Sequence, residues 1–128
     1  MAVIDDDLTP FFRRYAALYM AGDALGVADL CDTPFLAVRM GETIHLSDRA
    51  ALVGHLTGLM TAYRTAGAAV AEIVDLDPLQ EGDRAALVTV HWNVRAADGA
   101  LIRDFRTSYQ LVAEPWRLLG YVNHDTVG

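Results

Sequence analysis

The sequence predicts an α+β domain in which three N-terminal helices pack on the concave face of a cone-shaped, curved antiparallel sheet. Three observations lead there. The apolar period is helical through the first half and alternates from about Ala69 onward. The alternating segments are separated by short turn sequences. Helices and strands alike are apolar on one side, so each layer needs the other to cover it.

The elements follow in order. Thr9 is placed to cap a first helix with Pro10 in its first position, and Asp5 to Asp7 sit near the positive end of its dipole. Phe12, Tyr15 and Tyr19 recur at three- and four-residue steps, with Phe11 and Leu18 beside them, which turns both tyrosines inward. Gly22 ends this helix, Asp23 caps a second that runs to about Leu30, and Pro34 stops it. "FLAVRM" and "TIHLS" then flank Gly41 as a short hairpin. Ser47 or Asp48 caps a third helix to about Ala66, with Leu52, Leu56, Leu59, Met60 and Tyr63 as its stripe and Gly67 at its end. Four strands follow, "AVAEIVDLDPL", "RAALVTVHWNVRA", "LIRDFRTSYQLVA" and "PWRLLGYVNHD". The turns between them are "QEGD", "ADGA" and Glu114-Pro115, and short turns make an antiparallel meander.

Alternation assigns the faces. Val88, Val90, Trp92 and Val94 face the helices, as do Phe105, Thr107, Tyr109 and Leu111 on the next strand. On the last strand the same parity puts Leu118, Gly120, Val122 and His124 inside. His91, Asn93, Arg106, Ser108 and Gln110 then lie on the outer face, where Leu119 and Tyr121 leave it partly apolar. A mixed, flat surface of that kind suits association of two copies into a homodimer.

Composition narrows the function classes. The 128 residues fit one domain, 1–128, and with 53% hydrophobic and 21% charged residues the chain is of the compact kind. The net charge is -7 and every basic residue is arginine, so Schiff-base chemistry is excluded and there is no electrostatic footprint for nucleic acid or an anionic membrane. Cys31 is the single cysteine, which rules out an internal disulfide, and its apolar neighbours mark it as a buried thiol. No apolar run is long enough to span a bilayer and the N-terminus has no targeting pattern, making a cytoplasmic setting the expectation. His45, His55 and His91 are too scattered for a metal site, and no glycine-rich loop follows a strand, so neither metal nor cofactor is expected.

Three stretches carry a family resemblance: "RRYAALYMAGDALGVADLCD", "MGETIHLSDRAALVGHLTGLM" and "SYQLVAEPWRLLGYVNHD". With the order of elements, they resemble the SnoaL-like members of the nuclear-transport-factor-two-like (NTF2-like) superfamily over nearly the whole chain. The resemblance implies a cystatin-like cone with the first helix contributing to a pocket. That superfamily includes ketosteroid isomerases, scytalone dehydratase, polyketide cyclases and limonene epoxide hydrolase, beside many modules without known activity. Tyr15 matches the oxyanion-binding tyrosine of the isomerases, whereas their aspartate base falls here at Val38 or Arg39 and its partner near Thr107 or Ser108.

Parity puts no Asp or Glu on the inner face of the last three strands, so the raised carboxylate that such reactions use is missing. The expected lining is Tyr15, Tyr19, Arg39 at the rim, Trp92, Thr107, Tyr109, Val122 and His124. Three functions stay open. The first is a predominantly apolar cone that binds a small hydrophobic molecule without catalysis. The second is an isomerase, dehydratase or cyclase using Tyr15 and His124, with Asp125 or a tyrosine orienting the imidazole. The third is a dimerisation module whose cone is filled by its own side chains, the reading left if the cavity is below about 100 Å³.

Overall fold

The structure, a computed structural model, describes residues 4–124. The side chains of Asp5 to Asp7, and Asp125 altogether, lie outside the described residues. Helix α1 (Ile4–Met20) begins more than a turn earlier than the sequence predicts and carries Pro10 inside it. A proline there forfeits one hydrogen bond of the helix ladder. Tertiary burial offsets the loss, since Leu8 on one side of Pro10 and Phe12 on the other are both fully buried.

The reversal after α1 is made by Gly22 at φ 72°, where Gly22 N–H donates to the Tyr19 carbonyl and Asp23 N–H to that of Leu18. A left-handed residue closes the helix end, which glycine does without strain. Asp23 then caps α2 (Ala24–Ala28) by accepting from Gly26 N–H at 2.8 Å. Strand β1 (Cys31–Arg39) follows, with Pro34 inside it rather than ending α2, at a point where pairing with its neighbour is interrupted. Met40 and Gly41, both at positive φ, turn the chain into β2 (Glu42–Leu46). Asp48 caps α3 (Arg49–Thr65), accepting from Ala51 N–H at 2.9 Å.

The remaining chain forms β3 (Ala68–Gln80), β4 (Ala85–Ala96), β5 (Leu101–Val112) and β6 (Arg117–Asn123). One six-stranded sheet results, in the order β2-β1-β6-β5-β4-β3. The expected antiparallel sheet is corrected in one place, because β1 and β6 run parallel and the sheet is mixed. Hairpin turns set the other pairings, whereas β1 meets β6 only after α3 and four strands have intervened, the long crossover that a parallel pair requires. The core lies between the helices and the inner sheet face and joins Leu8, Phe12, Val27, Leu52 and Leu56 to Val88, Val90, Trp92, Leu111 and Leu118.

Strand β6 carries the second correction. Gln110 pairs with Gly120 but Leu111 with Leu118, so Leu119 is an extra residue in a bulge. An inserted residue reverses parity beyond it. Tyr121 therefore pairs with Tyr109 and is buried inside, while Val122 pairs with Ser108 and is 45% exposed outside. Gly120 sits on the outer side against the Leu36 carbonyl of β1 and leaves no space inside the cone.

Candidate functional site

The cone narrows to a cluster of rings. Tyr15 from α1 lies 5.6 Å from the Tyr109 ring, 6.2 Å from Trp92 and 5.5 Å from Tyr19, and Phe12 packs 4.9 Å from Tyr109 beneath them. Trp92 Nε1 donates to the Tyr109 hydroxyl at 2.9 Å, so the most deeply buried phenol of the sheet is satisfied. Thr107, also buried, donates to Asn123 Oδ1 at 2.8 Å. Parity places all of these, since β4 and β5 alternate without interruption from Val88 to Trp92 and from Phe105 to Leu111.

Above the rings the space opens to a mouth framed by Arg39 from β1, Tyr63 from α3, Arg103 from β5, and Tyr121 and Asn123 from β6. Arg103 Nη1 donates to the Tyr63 hydroxyl at 2.7 Å, and its guanidinium lies 4.0 Å over the Phe105 ring. The Tyr121 hydroxyl is 2.8 Å from His55 Nε2. Arg39 lines the same space and, among the described residues, has no hydrogen-bond or ion-pair partner. No Asp or Glu lines it among the described residues. The open volume is about 60 Å³, below the ~100 Å³ that separates a roomy cone from a packed one and room for about two waters.

Burial shapes the chemistry of the phenols. It pushes Tyr15 well above the usual tyrosine range, with the neighbouring Tyr109 phenol adding to it. It raises Tyr19 likewise, and Tyr109 by burial that its hydrogen bond from Trp92 only partly offsets. Tyr121 is pushed up to about 12, again by burial and against the pull of Arg39. Burial and the nearby Arg39 charge lower His55, so its ring is neutral at pH 7. Among the described residues the space is lined by neutral donors and two cations, and His55 meets it only through the Tyr121 hydroxyl.

An alkaline titration checks this arrangement. Free tyrosine ionises near pH 10. The phenolate absorbance of Tyr15, Tyr19, Tyr109 and Tyr121 is expected to be absent there and to appear together with unfolding at higher pH. The folded state keeps these protons after the unfolded chain has released them, so their contribution to stability is full below pH ~10 and declines above it. Phenolate rising smoothly near pH 10 with the fold intact would contradict the burial.

Of the eight side chains the sequence places in the lining, Tyr15, Tyr19, Arg39, Trp92, Thr107 and Tyr109 meet at this space. Val122 and His124 do not, because the Leu119 bulge turns them to the outer face. His124 is exposed and its Nε2 lies 2.7 Å from Ser108 Oγ, which is itself 2.8 Å from Thr89 Oγ1. Tyr15 and His124 thus lie on opposite faces of the sheet and cannot share a ligand, which removes the expected acid-base pair. On the outer face His91 meets Asp104, with Asn93, Arg106, Ser108 and Gln110 around it as expected. Tyr121 leaves that set for the interior, and Leu119 is half-buried in the bulge.

Sequence reasoning missed Arg103, Tyr121, Asn123 and His55. Arg103 lies two residues before Phe105 on the same face, and His55 lies on the Leu52–Leu59 stripe of α3, so both were legible from spacing. Cys31 is half-buried, its Sγ donates to the Val27 carbonyl at 3.3 Å, and burial raises its thiol to about 12, which suits an inert packing residue. Among the described residues no group of three or more His, Cys, Asp or Glu is placed to hold a metal ion. No helix among them is long and apolar enough to cross a membrane.

Helices laid over a curved mixed sheet, with an aromatic interior and a polar mouth, define an NTF2-like cone. The chain belongs to the NTF2-like protein family DUF6841, whose family model matches residues 6–126. Solved structures share the fold. An NTF2-like protein with a cystatin-like fold from Novosphingobium aromaticivorans superposes with a TM-score of 0.75 at 21% identity, over 96% of this chain and 82% of that one. A protein of unknown function from Mycobacterium tuberculosis gives 0.71 at 18%, covering 94% and 76%. Aln2 from a Streptomyces species gives 0.74 at 17%, covering 94% and 89%. At such identities the likeness is one of fold. No curated protein matches the sequence.

Proposed function

We propose that this domain is a binding module whose cone takes a small molecule at its mouth, without catalysis. One observation carries the reading. Arg39, Arg103, Tyr63, Tyr121 and Asn123 converge from four separate elements on the opening of an otherwise apolar, concave space. Ligand sites combine an apolar wall with a few convergent polar groups in this way, whereas packing alone has no use for two guanidinium groups at the opening. With Tyr15 and His124 on opposite faces, the isomerase-type reading has lost its pair of residues. The finer likeness to SnoaL-like members belongs to the same proposal and rests on the Arg13 to Asp32 and Ser108 to Asp125 stretches.

The volume of about 60 Å³ lies below the ~100 Å³ of a roomy cone, so no small molecule is enclosed within the cone and the binding reading rests on the mouth alone. The same volume favours a second reading, a filled cone serving self-association. In that case the outer face is the working surface, where exposed Leu36 and Val122 lie beside Ser108 and His124. A second copy is proposed as the partner of this face under either reading, and a monomer in sedimentation at micromolar concentration would remove it. A fragment screen by two-dimensional NMR separates the two functions. With small neutral, anionic and cationic aromatic probes at millimolar concentration, shifts clustered on Arg39, Tyr63, Trp92 and Arg103 are expected. If no probe of any charge moves those signals, the mouth is no binding site and the filled cone stands.

A further inference from the structure

Resting on the binding reading above, we infer that the occupant carries a carboxylate on a small aromatic body, held by Arg39 and Arg103. The inference follows from an inventory of donors and acceptors at the mouth. A guanidinium has five N–H donors and no acceptor. Arg39 uses none of its five among the described residues, and Arg103 uses one, toward Tyr63. The Arg103 guanidinium lies 4.0 Å over the Phe105 ring, and beyond its bond to Tyr63 it has no other hydrogen-bond partner among the described residues. Asn123 accepts from Thr107 through Oδ1, so its amide NH₂ is a further donor turned to the same space. The acceptors that line the space are neutral hydroxyls and an amide, and no carboxylate lines it among the described residues.

Three other arginines are held by acids, Arg49 by Asp29, Arg95 by Glu72 and Arg117 by Asp32. In a protein of net charge -7, the space that Arg39 and Arg103 both line has no acid among its described lining residues. A planar, two-oxygen anion answers the donor surplus by the fork geometry that arginine favours. The walls decide the remainder of the ligand. The open volume is too small to take a ring inside the cone, which restricts the body to about one ring seated in the mouth beside Tyr63 and Phe105.

The experiment titrates the protein with benzoate and phenylacetate and with their neutral amides, benzamide and phenylacetamide, by NMR or calorimetry. Carboxylates are expected to bind at least ~10-fold more tightly than the amides, as charge-assisted hydrogen bonds imply. Arg39→Met and Arg103→Met, which keep the apolar stems, are each expected to erase most of that preference while changing amide binding less than about twofold. Arg39→Lys keeps the charge without the fork and is expected to fall between, and it serves if a methionine variant does not fold. Amides binding as tightly as acids would overturn the carboxylate inference while the binding reading stands. Binding of neither class would overturn both.

Discussion

Phe12→Ala is expected to lower stability by about 3–5 kcal/mol, the range for truncating a large buried aromatic. Phe12 is fully buried and its ring lies within 6.5 Å of those of Phe11, Tyr15, Trp92 and Tyr109. It packs α1 against the sheet residues Trp92 and Tyr109. At roughly 3 °C per kcal/mol for a chain of this size, the melting temperature should fall by about 10 °C or more. Calorimetry or denaturant unfolding reads it directly. A loss below about 1 kcal/mol would mean that α1 is not seated on the sheet as described.

Gly120→Ala tests the parallel seam. A Cβ at this position would lie 2.4 Å from the Leu36 carbonyl oxygen, a backbone atom of a paired strand that cannot rotate aside. Either β1 and β6 separate or the methyl is crushed, and overpacking against a backbone atom places the cost near the top of the usual range of about 1–3 kcal/mol. The expected loss in chemical denaturation is therefore comparable with that of Phe12→Ala, although only one methyl is added. Amide exchange should rise first in β1, at Leu36 to Val38, where the register with β6 is tightest. An alanine variant as stable as the parent would show that the two strands do not lie in this register.

These two positions also mark what the sequence could and could not disclose. Phe12 announced itself, because helical spacing with Tyr15 and Tyr19 fixes the inward side of α1 whatever the fold beyond it. The faces of β4 and β5 were equally legible from Val88 to Trp92 and from Phe105 to Leu111, and they placed Trp92, Thr107 and Tyr109, three of the expected lining residues, on the inner face. Gly120 was misread because Leu118 and Leu119 are both apolar. A pair of that kind satisfies either parity, so nothing local marks the bulge that turns Tyr121 in and Val122 and His124 out. Arg103 was missed for another reason, as a charge on an inward face contradicts the pattern until a mouth is known to be there. The parallel pairing of β1 with β6 was beyond any local reading, since turn lengths speak only for strands that follow one another. The start of α1 was hidden by Pro10, whose preference for a first turn is weaker than the burial of Leu8 beside it.

The seam between β1 and β6 has a consequence for biosynthesis. A nascent chain completes the β1–β2 hairpin early, yet one whole side of β1 must wait, bare, while α3 and four more strands, the last of them its partner β6, emerge from the ribosome. High sequence separation between partners slows folding and prolongs the exposure of unpaired strand edges. Final closure of the cone is thus a late, long-range event, and the waiting hairpin is the segment for which a chaperone would matter most.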